Sequence, residues 1–371
     1  MWIVDIDEKK SGDHNRKVWI RRCCSVQSAS GIVRRASAET SIQRDNFPRR
    51  ESMFLDEEDL INMVIGLSFF GCGGGGSRKE GLEMIRGIGR IDLVDLDELD
   101  DEMMIASPYA CGSLESDLPN EEGVFKELKA VLELQNFLKV EFAGLFATEL
   151  GAYNTAVIFR ISKELGIPVI DGDGAGRAVP EIQHSIPSFL GYRAIPASVV
   201  LSNGDTLIFK DVESDEKFEK IVRHLVSKFG NVGVCDHPMK VKDAKRSLVR
   251  ESLTTSLKVG EFLRRGDLDS ILSLTNGKIL KEGKIEKVEG IQSEGFTEGR
   301  VWIDGDVMYF KNENMVFECG GRRYEFPDLL VLLGTKDLLP MENPPREGEC
   351  VYVFTVRADE RWYTYGRKME W

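Results

Sequence analysis

The 371-residue sequence has few of the side chains from which metal centres and disulfide frameworks are built. It contains four histidines, and no pair of them has the H-E-x-x-H spacing of a zinc site. Its seven cysteines are odd in number, scattered, and without a C-x-x-C pair. The sequence therefore predicts neither a zinc knuckle nor a disulfide framework, and it indicates a reducing, cytoplasmic environment.

Long apolar runs and an excess of positive charge are also missing. No run approaches the roughly 18 apolar residues of a spanning helix, and no secretory signal pattern is visible. The net charge of -13 disfavours a nucleic acid or a membrane surface as partner. The composition, 42% hydrophobic and 30% charged, is typical of a globular protein, and the length favours two domains. A homo-oligomer is compatible with these numbers.

The first 52 residues differ from the rest of the chain. They hold 11 Lys and Arg against 7 Asp and Glu, a net charge of +4 beside -17 for the remainder. They are rich in Ser and Arg and show no sustained helical or strand period. We expect residues 1–52 to be a disordered arm or a mis-assigned upstream extension, with Met53 as the natural start; a basic tail that binds an acidic partner is the alternative.

From Met53 onward, strand and helix patterns alternate. "LDEEDLINMVIGLSFF" predicts a helix with acidic residues at its start, and "IPVIDGDG" predicts a buried strand. The alternation predicts an α/β fold with a largely parallel sheet covered by helices. From about residue 275 the chain changes to short strands separated by glycine-rich turns, which indicates a small β-barrel or sandwich. We therefore predict an α/β domain over 53–270, which carries the site, and a β-rich domain over 271–371.

The stretch "GCGGGGS", Gly71 to Ser77, contains G-x-G-x-x-G and is followed by Asp95 about 20 residues later. This is the outline of a dinucleotide-binding fingerprint, which requires a strand before the glycines. A helix is predicted there instead, so a nucleotide-dependent oxidoreductase is the least favoured function. The amides of Gly73, Gly74, Gly75, Gly76 and Ser77 could instead bind an anion or a polarised carbonyl, aided by the following helix, which Ser77 should cap. A flexible turn is the structural alternative.

A second group of polar residues follows two predicted strands. "IDGDGAGRAVPE" brings Asp171, Asp173, Arg177 and Glu181 to the carboxyl end of one strand, and "FATELGAYN" brings Glu149 and Asn154 to the end of another. Ligands of open α/β sheets bind at such strand ends.

Several chemistries suit this second group. Crowded carboxylates raise each other's pKa and can act as general acid or base, so Glu149, Asp171 and Asp173 are catalytic candidates. Asp171, Asp173 and Glu181 could instead hold a divalent metal ion. Arg177 could orient a carboxylate or a carbonyl. The alternative without function is a salt-bridged turn in which aspartates accept bonds from backbone amides.

With both stretches located, the chain resembles the S-methyl-thiohydantoin desulfurase family, whose members are often encoded beside hydantoinase/oxoprolinase-type enzymes. The resemblance is carried by "GCGGGGS", "ATELGAYNTAV", "ELGIPVIDGDGAGRAVPE", "NENMVF" and "FPDLLVLLG", in family order over about 53–371. The family usually has Thr at the position of Cys72 and Gly at that of Ala152. The resemblance implies a three-layer α/β/α domain with a mostly parallel sheet and a smaller β-barrel-like domain.

The resemblance also implies a function: hydrolysis of a C–S or C–N bond in a hydantoin- or thiohydantoin-like cyclic amide or thioimidate. Water would be activated by Glu149, Asp171 or Asp173. The developing oxyanion would rest on the glycine amides, while Arg177, Glu181 and Asn154 position the ring. A metal is compatible but not required. The alternative is a non-catalytic subunit that binds a ligand beside a hydantoinase/oxoprolinase-type partner.

Overall fold

The computed structural model describes residues 53–112, 125–293 and 295–366. All of them belong to one compact unit, Pro48–Trp371. The predictions for residues 1–52 lie outside the described residues. The helices of the described residues are α1 Glu57–Phe70, α2 Arg78–Ile85, α3 Lys126–Leu138, α4 Ala152–Leu165, α5 Ile186–Phe189, α6 Asp215–Phe229, α7 Val241–Ser247, α8 Ser252–Arg265, α9 Leu268–Thr275 and α10 Glu360–Tyr365.

The strands of the described residues form two sheets. They are β1 Met53–Leu55, β2 Ile91–Val94, β3 Met104–Cys111, β4 Gly144–Ala147, β5 Val169–Asp173, β6 Ala197–Val200, β7 Thr206–Phe209, β8 Val232–Lys240, β9 Val249–Arg250, β10 Lys278–Ser293, β11 Phe296–Ile303, β12 Asp306–Lys311, β13 Glu313–Cys319, β14 Arg322–Glu325, β15 Leu329–Gly334 and β16 Cys350–Val356.

Short sequence signals mark the ends of several helices at the positions that the sequence predicted. Asp56 and Asp59 form a capping box at the start of α1, each side chain accepting a backbone N–H of the other. Helix α4 ends at Gly166 in the left-handed conformation. Ser77 precedes α2 as expected, but its side chain makes no capping hydrogen bond. The expectation of a Ser77 cap is therefore corrected: the first helical amide, Arg78 N–H, donates to Glu342 at 2.7 Å.

The first sheet has the strand order β1-β2-β5-β4-β3-β8-β6-β7, with β9 on β5. Its central strands β2, β5, β4 and β3 pair in parallel, whereas β1, β9 and the strands β8, β6 and β7 join by antiparallel pairing. The parallel part is thus the core of a mixed sheet. Strands β4 and β5 are neighbours, and Ala147 pairs with Asp173. Their carboxyl ends therefore meet, which places the two predicted polar stretches side by side.

The second sheet is antiparallel and curls into a half-barrel, in the order β14-β13-β12-β11-β10-β16-β15. Strand β10 pairs with β16 over its first half and with β11 over its second half, and its register shifts at Ile279/Lys281 and at Ile285/Lys287. Such irregularities bend a strand and let a sheet turn back on itself. The fold is thus α/β with a barrel-like β-rich part, as predicted. The three-layer arrangement and the boundary at 270 stay predictions.

The largest apolar core lies around α1, α4 and the parallel strands, and includes the fully buried Leu60, Phe69, Phe159 and Val169. Helix α1 is buried over most of its length and packs closely on α8. A Cβ on Gly66 would lie 1.7 Å from the Ser256 carbonyl oxygen of α8, so the two backbones touch at this glycine. Within the described ranges, no helix has the length and apolar character needed to cross a membrane.

Candidate active site

The loop Gly71–Ser77, here called the glycine loop, is tightly enclosed. A Cβ on Gly74 would lie 2.0 Å from the Glu313 Oε1 atom, and one on Gly73 would lie 2.4 Å from the Asn343 side-chain nitrogen. Gly75 faces Gly151, where a Cβ would come within 2.5 Å of the Gly151 Cα. Real Cβ atoms are not found this close to other atoms, so no larger residue fits these three positions without displacement. The glycines therefore serve close packing, and the loop is not a flexible turn.

The carbonyl groups of the glycine loop hold it in place. Cys72 O accepts the Asn314 N–H at 2.7 Å, and Gly73 O accepts the Asn343 N–H at 2.9 Å. Gly75 O accepts the amides of Tyr153 and Asn154 in the first turn of α4. The loop is thus fixed between the half-barrel and the start of α4. Cys72 is fully buried, and burial raises the pKa of its thiol, so it packs as a small apolar residue.

The backbone N–H groups of Gly75, Gly76 and Ser77 are left without a partner. In the described part of the chain, none of these three amides donates a hydrogen bond, and all three residues line a cavity of about 740 Å³. Gly73 and Gly74 do not line this cavity. Gly73 packs against Asn343, and Gly74 packs against Glu313. Three of the five residues predicted to bind substrate through the loop therefore face the cavity. Unbonded amides of this kind suit a developing negative charge.

Glu149 lies in the wall of the same cavity and is only 6% exposed. Its Oε1 accepts the Asn154 side-chain amide at 2.8 Å, and its Oε2 accepts the Val179 N–H at 2.7 Å. Burial raises the pKa of Glu149, while these two hydrogen bonds favour its ionised form. Asn154 also lines the cavity, and its side-chain oxygen accepts the Ala110 N–H at 3.2 Å. Asn154 therefore orients the Glu149 carboxylate.

The cavity wall also contains the buried carboxyl groups of Glu127 and Glu313, and neither was among the predicted site residues. Glu313 is 2% exposed, and its Oε2 has no hydrogen-bond partner in the described residues. Burial, followed by the nearby negative charge of Glu149, raises the pKa of Glu313 to about 8. Glu313 belongs to "NENMVF", which carried the family resemblance, and an acid between two asparagines in a predicted strand was the available signal. Its contact with the glycine loop depends on the tertiary fold.

Asp171 and Asp173, predicted as catalytic carboxylates, do not line the cavity. Asp171 Oδ1 accepts the backbone N–H groups of Leu253 and Thr254, both at 3.0 Å, at the start of α8. Asp173 Oδ2 accepts those of Ala175 and Gly176, and burial raises its pKa to about 7. The structure therefore does not bring Asp171 and Asp173 to the cavity wall with Glu149, because Asp171 and the Oδ2 atom of Asp173 are directed at backbone amides.

Arg177 is also absent from the cavity wall, contrary to its predicted role. It is fully buried and donates to the carbonyl groups of Ala178, Pro327, Asp328 and Asn314. The guanidinium thus joins the end of β5 to the half-barrel. An arginine that directs four of its five N–H groups at backbone oxygens is placed to hold the structure together, and not to orient a ring.

Glu181 does line the cavity, and it is paired with Lys311 at 2.6 Å. Burial alone would raise its pKa, but the hydrogen bonds from Lys311 and Gln183, together with the charges of His184 and Lys311, outweigh it, so the pKa lies below its usual value. Asp171, Asp173 and Glu181 therefore have three separate sets of partners and do not form the metal-ligand set that the sequence left open. Among the described residues, no group of three or more His, Cys, Asp or Glu is arranged to hold a metal ion.

A Ser-His-Asp arrangement lies outside the cavity. His237 Nε2 is 3.2 Å from Ser188 Oγ, and His237 Nδ1 is 2.9 Å from Asp236 Oδ1. However, Ser188 donates its hydroxyl to Asp215 at 2.9 Å. Burial lowers the pKa of His237, but the carboxylates of Asp236 and Asp215 outweigh it and raise the pKa above its usual value. Because the Ser188 hydroxyl proton is directed at Asp215 and not at His237, this arrangement is a structural network.

The structural elements around the glycine loop contradict its interpretation as a dinucleotide-binding motif. The element before the loop is helix α1, where the fingerprint needs a strand. Asp95 does not face the loop's cavity, since it caps a short 3-10 helix and bonds to Arg250 at 2.5 Å. The helix predicted from the apolar stripe before the glycines is therefore confirmed.

Comparisons with known proteins agree with this fold. The S-Me-THD-like N-terminal domain model matches residues 58–211, and the S-Me-THD-like C-terminal domain model matches residues 213–369. No curated protein matches the chain. A crystal structure of a protein from Chromobacterium violaceum is similar in fold, with a TM-score of 0.70, 21% identity, and coverage of 84% of this chain and 93% of that one. The chain therefore belongs to the S-Me-THD-like family, that of the S-methyl-thiohydantoin desulfurase domain.

Proposed function

We propose that the protein is a hydrolase that cleaves the C–S bond of an S-methyl-thiohydantoin-like ring. The observation that carries the proposal is one cavity wall that combines the Glu149 carboxylate with the unbonded amides of Gly75, Gly76 and Ser77. Hydrolysis of a thioimidate needs a base to activate water and donors that stabilise the negative charge developing on the atoms bound to the attacked carbon. The family name supplies the substrate class.

Glu149 acts as the base in this proposal. Its carboxylate is fixed by Asn154 and by the Val179 amide, so it is held in one orientation beside the cavity. A fixed base gains rate because the geometry for proton transfer is set before water and substrate arrive. Asn154 is a positioning residue, because it acts through Glu149.

The reaction balances with water as the co-reactant. Water adds to the ring carbon that bears the S-methyl group, and Glu149 takes one of its protons. The carbon–sulfur bond then breaks with its electron pair going to sulfur, and the ring carbon becomes a carbonyl. The products are a hydantoin and methanethiol, so one water proton ends on the ring nitrogen and the other on the thiol. The loop amides stabilise the tetrahedral intermediate.

The test is release of methanethiol from an S-methyl-thiohydantoin by the purified full-length protein, followed with a thiol reagent. Glu149→Gln keeps the size of the side chain but removes the base, and we expect kcat to fall by roughly 10²- to 10⁴-fold. Glu347→Gln is the matched control, because Glu347 is exposed and does not line the cavity. Ligand binding without any thiol release by the wild type would instead support a non-catalytic binding subunit.

A further inference from the structure

We propose that Glu313 is the general acid of this site and gives its proton to the leaving sulfur. The inference rests on the proposed hydrolysis and assigns a second catalytic residue to it. Three observations carry it: Glu313 lies in the cavity wall with Glu149, it is 2% exposed, and its Oε2 has no hydrogen-bond partner within the described ranges. Burial of an ionised carboxylate in such a place costs more than the nearby guanidinium charges return, so the neutral, proton-bearing form is favoured.

The carboxyl groups of Glu149 and Glu313 are both buried, but they differ in the hydrogen bonds that they accept. Glu149 accepts two hydrogen bonds, whereas the Oε2 of Glu313 accepts none and its Oε1 packs on Gly74. The charged and titratable groups that act on Glu313 are Glu149, Arg177 and Arg223, with the buried thiol of Cys72 behind it. Arg177 donates to backbone carbonyls, and Arg223 to Glu219 and to the carbonyls of Gly112, Pro180 and Gly295. Neither guanidinium forms a hydrogen bond with Glu313.

Two carboxyl groups whose surroundings separate their pKa values give one base and one acid. Burial and the Glu149 charge raise the pKa of Glu313 to about 8. At neutral pH this carboxyl therefore keeps its proton. Burial also raises the pKa of Glu149, but two hydrogen bonds favour its ionised form, so we assign Glu149 as the group that accepts a proton. The glycine at position 74 makes this possible, because a Cβ there would occupy the place of the Glu313 carboxyl.

The proton cycle closes without another reactant. Glu149 takes a proton from water as the carbon–oxygen bond forms. Glu313 gives its proton to sulfur as the carbon–sulfur bond breaks, and methanethiol leaves as a neutral molecule. The proton on Glu149 then passes to the Glu313 carboxylate across the shared cavity, which restores both groups. No oxidant, reductant or additional base is consumed.

The experiment varies the leaving group. We compare an S-methyl-thiohydantoin, whose thiolate is a basic and poor leaving group, with the S-(4-nitrophenyl) analogue, whose thiolate leaves without a proton. Glu313→Gln should lower kcat/KM for the S-methyl substrate by about 10²-fold or more and for the S-(4-nitrophenyl) substrate by less than about 10-fold. Glu149→Gln should lower both equally. Glu318→Gln, on the same strand but on an exposed ion pair with Arg323, should change neither.

Equal losses of Glu313→Gln on both substrates would overturn the proposal while leaving the hydrolase function intact. No thiol release by the wild type from either substrate would instead remove the hydrolase function itself. The pH profile of the wild type tests the same point without a variant. Activity on the S-methyl substrate should fall above about pH 8, where Glu313 loses its proton, and activity on the S-(4-nitrophenyl) substrate should show no such fall. A fall for both substrates would contradict the proposal.

Discussion

At the scale of single residues, the site depends on an acid buried where burial is costly. Among the residues that the structure describes, none donates a hydrogen bond to Glu313 Oε2 and no cation forms an ion pair with this carboxyl, and burial and Glu149 raise its pKa to about 8. A buried carboxyl with a raised pKa lowers the free energy of unfolding at every pH above its unfolded pKa, because the unfolded chain can then lose the proton that the folded protein keeps. Function and stability therefore oppose each other at this position, as is common where catalytic groups are held in unfavourable surroundings.

We expect Glu313→Gln to stabilise the protein, and by more as the pH rises. Between about pH 4.5, near the usual glutamate pKa, and pH 8, the folded protein holds a proton that the unfolded chain has lost. The free energy of unfolding of the wild type therefore falls across this range, by at most about 1.4 kcal/mol per pH unit. The neutral amide has no such dependence. Urea unfolding at pH 5 and pH 8 measures the difference. A gain that is the same at both pH values would contradict the raised pKa.

At the scale of elements, strand β5 and helix α8 are joined by a capping interaction made across the fold. The residue before α8, Glu251, lies in the left-handed region and its side chain does not cap the helix. Asp171 supplies the missing acceptor from β5 by accepting the Leu253 and Thr254 amides, and Thr254 Oγ1 also donates to it. A carboxylate at a helix start is favoured by the unpaired amides and by the helix dipole.

Asp171→Ala should therefore lower stability and leave catalysis unchanged. Loss of a cap costs about 1–2 kcal/mol, and the measurement is denaturant unfolding with kcat determined on the same preparation. Asp269→Ala is the matched control, since this exposed aspartate lies in the first turn of α9, where Asp267 and not Asp269 provides the cap. A fall of kcat by 10²-fold or more for Asp171→Ala would return Asp171 to the catalytic machinery.

At the scale of the whole molecule, the first sheet and the half-barrel meet around Arg177. Its guanidinium donates to Pro327 O at 2.9 Å and to Asp328 O at 2.8 Å, and it lies 4.7 Å from the ring centroid of Phe326. Around the same region, Asn314 and Asn343 of the half-barrel part bond to the carbonyl groups of the glycine loop. The cavity wall is therefore assembled from both parts of the chain, and anything that loosens their contact disturbs it.

Arg177→Ala should destabilise the protein by about 3 kcal/mol or more, because several buried carbonyl groups lose their donor and a cavity is left. Arg177→Lys should not restore the loss, since an ammonium cannot reproduce the planar set of donors. Arg357→Ala, which removes an exposed arginine paired with Glu360, should change stability by no more than about 0.5 kcal/mol. Thermal and urea unfolding of the three variants measure this. An Arg177→Ala protein as stable as Arg357→Ala would rule out the joining role.

Much of the fold follows from short stretches of sequence. The helical stripe and capping acids of α1, the terminating Gly166 of α4 and the change to short strands after residue 275 depend on neighbours within a few positions, and the structure confirms each. The meeting of the Glu149 and Asp173 stretches followed from the rule that parallel strand ends lie at one edge. The family resemblance linked "GCGGGGS" to these stretches, and Gly75 is in contact with Gly151.

The rule that parallel strand ends meet at one edge does not predict the direction in which a side chain points. Asp171 and Asp173 occupy the same kind of position as Glu149, yet their carboxylates are taken up by the amides of α8 and of the following turn. Arg177 is directed at carbonyl groups that come from residues far along the chain. A pattern of residue types predicts where a polar side chain is attached, but the partner with the best unpaired amide or carbonyl decides where it turns.

The sequence by itself determined the alternation of strands and helices, the place of the glycine loop after a helix, and the membership of Glu149 in a strand-end motif, because each depends on local periodicity and on spacing. Only the tertiary structure decided that the Glu313 carboxyl lies in the same cavity wall as Glu149. Its pKa depends on burial and on the charge of Glu149, and both arise when the half-barrel closes on the glycine loop.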